Sequence, residues 1–427
     1  MRNAFTRMKP ATWGRLWCHM DFMRLWTSQT IGAFGRQITA FALPTAAILL
    51  LSAGSFEIGI LNALEDLAFP LLGLFVGVWA DRWRRRPMMV VASLGRMIVV
   101  ASVPLAFLLG ALHLYLLYAV SALIGVFTVF FDIAYQSYLP TLIERTDLVE
   151  GNSKLETTQS AARVVGPAIA GFLIQLVGAA KAILADTLAF LTSAILIFSI
   201  SKHEPTIPSS GARRRFLSEL REGAEVVFGN SILRRITACT ATLNLGSGIF
   251  FAVFLIFAYH ELKLTVPLVG IALTLGGAGL LIGAVSASRI VGRLGLGPTL
   301  AVSILISGVG LAIVPLALYI STVPILTALW IGLWMGLSNV FIPVYNINQI
   351  SLRQAITPDR LQGRMNATIR TLVWGVLPLG SFVGGILGVY LGILPTLVFG
   401  ALVSTLGVVW ISFAPFVSLR DVPPTPS

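Results

Sequence analysis

Apolar residues run along the chain in blocks of about 20, broken by short polar stretches. A block of that length crosses a hydrocarbon core about 30 Å thick as a single helix. Such blocks fall near 27–51, 57–80, 88–110, 114–139, 156–177, 182–201, 236–259, 267–289, 299–320, 324–347, 366–388 and 391–414. The ten-residue alternating segments of a membrane β-barrel are absent from this pattern. The expected fold class is therefore an all-α polytopic membrane protein with twelve transmembrane helices. The longest polar stretch, SKHEPTIPSSGARRRFLSELREGAEVVFGNSILRR, lies between the sixth and seventh blocks and divides them six plus six. This predicts a tail at 1–26, a six-helix bundle at 27–201, a linker at 202–235, a second bundle at 236–414 and a tail at 415–427. The two bundles are expected to be pseudo-symmetric, because each half places a polar inner loop ahead of a proline-bearing helix. In the first half FFDIAYQSYLPTLIERTDLVEGN precedes Gly166-Pro167, and in the second VYNINQISLRQAITPDRLQGRMN precedes Leu377-Pro378.

Composition narrows the class. Charged residues make up only 11% of 427 positions and hydrophobic ones 56%, against roughly 25% charged in a soluble domain. The mean hydropathy is +0.87. The net charge of +12 raises the question of a nucleic-acid partner, and the placement of the charges answers it. Of the 30 basic residues, 27 fall in or beside loops on one side of the membrane, Lys181 and Lys263 lie on the other, and Arg36 lies inside the first span. The positive-inside rule then puts both termini in the cytoplasm of a multi-pass plasma or inner membrane protein, and the basic excess reports topology, with no nucleic-acid partner. Residues 1–26 lack an apolar h-region and do not read as a removable signal peptide. Cys18 and Cys239 are the only cysteines, so neither a disulfide nor a cysteine metal site is expected. A monomer is expected.

Between the second and third spans lies Gly77-Val-Trp-Ala-Asp81-Arg82-Trp-Arg84-Arg85-Arg86-Pro87. It resembles the major facilitator superfamily loop motif G-x-x-x-D-R-x-G-R-R. It departs at Arg84, in the way of the drug-efflux branch that includes macrolide and enterobactin exporters. Asp132-Ile-Ala-Tyr-Gln-Ser-Tyr-Leu-Pro140, Gly166-Pro167-Ala-Ile-Ala-Gly171, Asp186, Gly363-Arg364-Met-Asn-Ala, Arg370 and Trp374-Gly-Val-Leu-Pro378-Leu-Gly380 extend the resemblance over most of the chain. The resemblance implies two six-helix halves that rock about a central substrate path. It also implies a cytoplasmic gate at Gly77, Asp81, Arg82, Arg85 and Arg86 that latches the halves when the inner side is closed. The residues alone permit a simpler reading, a topogenic basic cluster, although topology does not call for an acid at 81.

Ionisable groups at membrane depth are costly and usually functional. The spans carry Glu65, Asp66, Asp132 and Asp186 against Arg36, Arg96, Arg163 and Arg370, a balance that suggests pairing. Asp132 is placed to pair with Arg96 or Arg163, or else to carry a proton. Glu65 and Asp66 are adjacent carboxyls on the second span, about 20 Å from the inner face. They are the leading proton-coupling candidates, unless either pairs with Arg36. The branch often carries a glutamate at the position of Glu65, which places that residue first. Gly166, Pro167, Gly171 and Pro378 are candidate hinges, or simply packing sites. In the resembled fold, spans one, four, seven and ten face the cavity. Here they bring Phe41, Phe131, Tyr135, Asn244, Phe251, Trp330, Trp334, Asn339 and Tyr345, a wall suited to a bulky amphipathic ligand.

The expected activity is export of hydrophobic or amphipathic small molecules, drug-, macrolide- or siderophore-like, by proton antiport. A proton gradient takes the place of any cofactor. Uptake or facilitated diffusion of a small metabolite is the alternative within transport, and a receptor or channel on the same fold the alternative outside it. An enzyme is not expected, because His19, His113, His203 and His260 fall in tails or at span ends, away from any nucleophile or metal-ligand cluster at depth. No G-x-x-x-x-G-K-[ST] loop is present to drive transport with a nucleoside triphosphate.

Overall fold

The computed structural model describes residues 14–80, 83–202, 204, 216–320 and 323–412. Within them every regular element is helical, as backbone in hydrocarbon requires when it must satisfy its own hydrogen bonds. The first half contains α1 (Met20–Leu51), α2 (Ser55–Ala80), α3 (Arg85–Leu108), α4 (Leu114–Leu142), α5 (Leu148–Val177) and α6 (Ala179–Phe198). The linker holds α7 (Phe216–Gly229). The second half contains α8 (Ser231–Ile256), α9 (Val266–Leu294), α10 (Leu296–Ile313), α11 (Ala317–Ile320), α12 (Pro324–Ile356), α13 (Asp359–Tyr390) and α14 (Ile393–Leu406). Short turns extend α8 to Glu261, join α10 to α11 as one span, and carry α14 on to Trp410. Among the described residues, eleven helices are long and apolar enough to cross a membrane. α2, with 26 residues bearing Glu57, Glu65 and Asp66, is the remaining helix of that length.

Several helices start or stop well outside the apolar blocks. α1 begins at Met20, α5 at Leu148 and α13 at Asp359, while α12 continues to Ile356. Each overrun lies on the face that carries both ends of the described chain, here the terminal face; the opposite one is the far face. Side-chain caps fix the starts of α1, α8 and α3 on this face. His19 Nδ1 accepts the Phe22 N–H at 3.0 Å, Asn230 Oδ1 accepts those of Ile232 and Leu233 at 2.9 and 3.3 Å, and Glu204 Oε2 accepts the Arg85 N–H at 2.8 Å. Gly178 and Gly392 open the last helix of each half at φ +86° and +88°. A side chain is strained in that conformation, so the same tight turn uses glycine in both halves.

The two halves repeat one packing scheme. α1 packs on α5 and α6, α2 on α4, and α3 on α4 and α6; correspondingly α8 packs on α13 and α14, α9 on α12, and α10 on α12 and α14. The halves meet along α2 with α13 and α5 with α9, again an equivalent pair of seams. Small residues let these backbones approach. A Cβ on Gly59 of α2 would lie 2.7 Å from Gly385 Cα, and one on Gly270 of α9 2.5 Å from the Pro167 carbonyl oxygen of α5.

The apolar core is shared on one side and split on the other. Toward the far face a single cluster joins both halves, including Ala46, Ile58 and Val103 from the first and Phe254, Val269 and Ile331 from the second. Toward the terminal face there are two clusters. One, around Phe22, Met89, Tyr138 and Leu155, belongs to the first half; the other, around Leu233, Ile236, Leu352 and Met365, belongs to the second. The molecule is sealed at the far face and divided at the terminal face.

Candidate functional site

Into that division opens a cavity of about 900 Å³, lined by α1, α2, α4, α5, α6 and α13. Polar residues reach it because they recur with helical spacing inside apolar runs. Ala33, Arg36, Gln37 and Ala40 form one stripe of α1, Thr128, Asp132, Tyr135 and Gln136 one of α4, and Asn152, Glu156, Gln159 and Arg163 one of α5. Glu65 of α2, Asp186 of α6, and Arg370 and Trp374 of α13 complete the charged and aromatic lining.

Six of the eight intramembrane charges named from the sequence thus share one wall: Arg36, Glu65, Asp132, Arg163, Asp186 and Arg370. The pairing expected among them is not formed. No N···O distance within 4.0 Å joins Asp132 to Arg96 or Arg163, or Arg36 to Glu65 or Asp66. Glu156, a seventh charge on the wall, sits at the edge of an apolar block, where the sequence makes it look like part of a loop. Asp66 is exposed and does not line the cavity.

Asp186 is 1% exposed, and its Oδ1 has no hydrogen-bond partner. It presses on α1 at Gly35, where a Cβ would collide with that oxygen, so only glycine admits the carboxylate there. Behind the wall lies Arg96, also 1% exposed, its guanidinium 4.3 Å from the Phe131 ring centroid and 4.7 Å from that of Phe190. Two aromatic faces take the place of the expected carboxylate as its neighbours. Arg370 stands 5.0 Å over Phe69 of α2, and Trp374 packs on the same ring at 5.8 Å, so one phenylalanine seats both α13 residues at the cavity.

Of the nine residues expected to form the substrate wall, the structure brings Tyr135 to the cavity. Phe131 stacks behind it, 6.5 Å away. Phe41 is buried in the shared core, Trp330 and Trp334 pack on that core and on each other, and Phe251 packs with Phe250 and Phe254. Asn244 donates to the Val373 carbonyl at 2.9 Å and Asn339 to that of Gly276 at 3.0 Å, tying helices together within the second half. Tyr345 is buried with its hydroxyl 2.8 Å from that of Thr240.

Asp81 and Arg82 lie outside the described residues, and Gly77 begins the last turn of α2. Arg85 and Arg86 contact their own half. Both backbone N–H groups donate to Glu204, and the Arg86 guanidinium donates to the carbonyls of Ile197 and Phe198. Of the hinge candidates, Pro167 and Gly171 lie in the α5–α9 seam, whereas Gly166 and Pro378 pack within their own halves. Gly166 packs on Gln37, Gly171 on Val266 and Pro267, and the Pro167 carbonyl on Gly270. The Ala168 N–H, beside the proline, donates across the seam to Thr274 Oγ1 at 3.0 Å. Pro378 follows Leu377, whose carbonyl lies against Gly248 of α8.

Three guanidinium groups and four carboxyl groups therefore face one water-accessible volume without pairing among themselves. Such a surface can hold a polar solute and exchange protons at its carboxyls.

A family profile described as Major Facilitator Superfamily matches residues 25–377. Among curated proteins, the chain is 25% identical over 402 residues to the uncharacterized MFS-type transporter YfiS of Bacillus subtilis (strain 168), covering 91% of each. Among solved structures it is similar to the nucleoside transporter NupG, with TM-score 0.71, 13% identity and coverage of 92% of this chain and 99% of that one. It is also similar to a bacterial homologue of the iron transporter ferroportin. Against the inward-facing state of that protein the TM-score is 0.66 at 18% identity, covering 92% and 99% of the two chains. Against its outward-facing state the TM-score is 0.53 at 19% identity, covering 91% and 96%.

Proposed function

From a chain that belongs to the Major Facilitator Superfamily and is a membrane transporter, we propose an exporter of amphipathic small molecules that exchanges cargo for protons by alternating access. The observation that carries this reading is the charged cavity, open between the halves on the terminal face and closed beyond them by the shared core. The two TM-scores against one protein in two states favour an inward-facing conformation, and with the positive-inside pattern they support cytoplasmic termini. The closed state of the terminal face follows from rocking the halves about the α2–α13 and α5–α9 seams.

Glu65 is the proton site in this reading. It lies 15 residues, about 22 Å, from the terminal-face end of α2, and no partner within ion-pair distance holds it ionised. Asp186 is the second candidate. Dyes, macrolides and siderophores screened in inverted vesicles, with proton release as the signal, test the reading. Glu65→Gln is expected to abolish cargo-driven proton release while cargo still binds; full proton-coupled export by that variant removes Glu65 from the mechanism. The metal-transporting neighbours share the fold, but no three His, Cys, Asp or Glu side chains group as metal ligands among the described residues. Three arginines line the same wall, which supports an organic cargo.

A further inference from the structure

The cavity restricts the cargo further than its size does. Arg36, Arg163 and Arg370 face Glu65, Asp132, Glu156 and Asp186 across one volume, and none of the seven is within ion-pair distance of another. In the open state water hydrates all of them but Asp186, which is already buried. When the halves close on a cargo, that water leaves, and a buried charge without a partner costs several kcal/mol. An uncharged hydrophobic cargo would strand all seven. A cationic cargo would serve the carboxylates and strand the guanidinium groups, and an anionic one the reverse. One proton bound at a carboxyl, as the antiport reading requires, leaves three positive and three negative groups, which a cargo without net charge leaves balanced. The buried, unpartnered Asp186 Oδ1 marks acceptor capacity still unfilled on this wall.

We propose that the cargo is a small zwitterion with an apolar body, its cationic group held by the cavity carboxylates and its anionic group by the arginines. The apolar body packs on Trp374, Phe190 and Leu155, which share the lining. This rests on the transporter reading above and names the substrate class for the same site. It also places recognition in the first half, since α13 supplies only Arg370 and Trp374.

The test holds a carbon skeleton constant and changes its charge. Phenylalanine and leucyl-phenylalanine are each compared with their N-acetyl, C-amide and doubly blocked forms, which are anionic, cationic and neutral. Binding to the full-length protein in nanodiscs is read as a shift in unfolding midpoint, followed through exposure of the buried Cys239 in a Cys18→Ser background. A zwitterion at ten times its dissociation constant is expected to raise the midpoint by about 1.5 °C, with no shift from the other three forms. Arg163→Gln and Glu156→Gln are each expected to weaken zwitterion binding at least about tenfold. Equal shifts from a blocked form and its zwitterion, or no shift from any form on either skeleton, overturn the proposal. Proton release is measured separately in vesicles. Zwitterion binding without proton release leaves this proposal standing and sinks the antiport reading, whereas proton-coupled export of uncharged dyes does the opposite.

Discussion

Adding one methyl group at Gly59 tests whether the far-face seam sets the resting conformation. In the structure a Cβ there would lie 2.7 Å from Gly385 Cα and 2.7 Å from the Ser381 carbonyl oxygen, where carbon atoms at rest keep about 3.5–4.0 Å. Both obstacles are backbone, so α2 and α13 must part by about 1 Å. The second seam resists that shift, because Gly171 and Gly270 of α5 and α9 are packed as closely against each other's helices. Overpacking of this kind costs about 1–3 kcal/mol. The cost applies only while the far face is closed, since the two glycines separate when it opens. Gly59→Ala is therefore expected to lower the ratio of molecules open at the terminal face to molecules open at the far face by about 5- to 150-fold. The reporter is Asn152→Cys at the cavity wall, labelled by a membrane-impermeant thiol reagent from the terminal face in the Cys18→Ser background. Its initial labelling rate is expected to fall in Gly59→Ala. Gly73→Ala, on the same helix, is the control, because its Cβ would meet only the Phe69 ring at 3.7 Å. An unchanged rate in Gly59→Ala, or an equal fall in Gly73→Ala, refutes the reasoning.

Three further outcomes follow from contacts already described. A double-mutant cycle between Arg96→Met and Phe190→Leu, read by thermal unfolding, is expected to give a coupling of about 0.5–2 kcal/mol from the guanidinium–ring contact; zero coupling would show that the sandwich is incidental. Glu204→Ala removes the acceptor for two N–H groups at the start of α3 and is expected to cost about 1 kcal/mol of local stability. Amide exchange at Arg85 and Arg86 should then quicken about fivefold, and unchanged exchange would refute the cap. Tyr259→Phe removes a 3.0 Å hydroxyl contact to Thr45 that joins the halves near the far face. It is expected to slow Asn152→Cys labelling in the same sense as Gly59→Ala but by less, about 2- to 10-fold, and faster labelling would contradict the placement of that contact in the seal.

The spans were legible because hydropathy senses the lipid that surrounds a helix. The same fact hid their true ends, since α1, α5, α12 and α13 continue past the apolar blocks as polar helices, α1 capped by His19, and pack through Phe22, Leu155 and Ile356. The charged wall was legible in Arg36, Glu65, Asp132, Arg163, Asp186 and Arg370, because a charge in an apolar run has few reasons to be there. Glu156 lacked that contrast at the edge of its run. The pairing was not legible, because eight charges on seven helices can balance in number without meeting in space. Nor was the aromatic wall: Phe41, Trp330 and Trp334 carry the same composition whether they face a ligand or one another. Gly59 and Gly385 gave no signal among 40 glycines, since close approach is a property of two helices together.

Nineteen of the 21 described residues that line the cavity come from the first half. A cargo bound there travels with one bundle while the other acts as a movable wall. A chimera that keeps residues 14–202 and takes its second half from a homologue is then predicted to retain its ligand preference, provided the new half preserves the glycine seams and an arginine and tryptophan at the positions of Arg370 and Trp374. On that outcome selectivity and gating would be separable parts of this chain, and directed evolution of the one could proceed with the other held fixed.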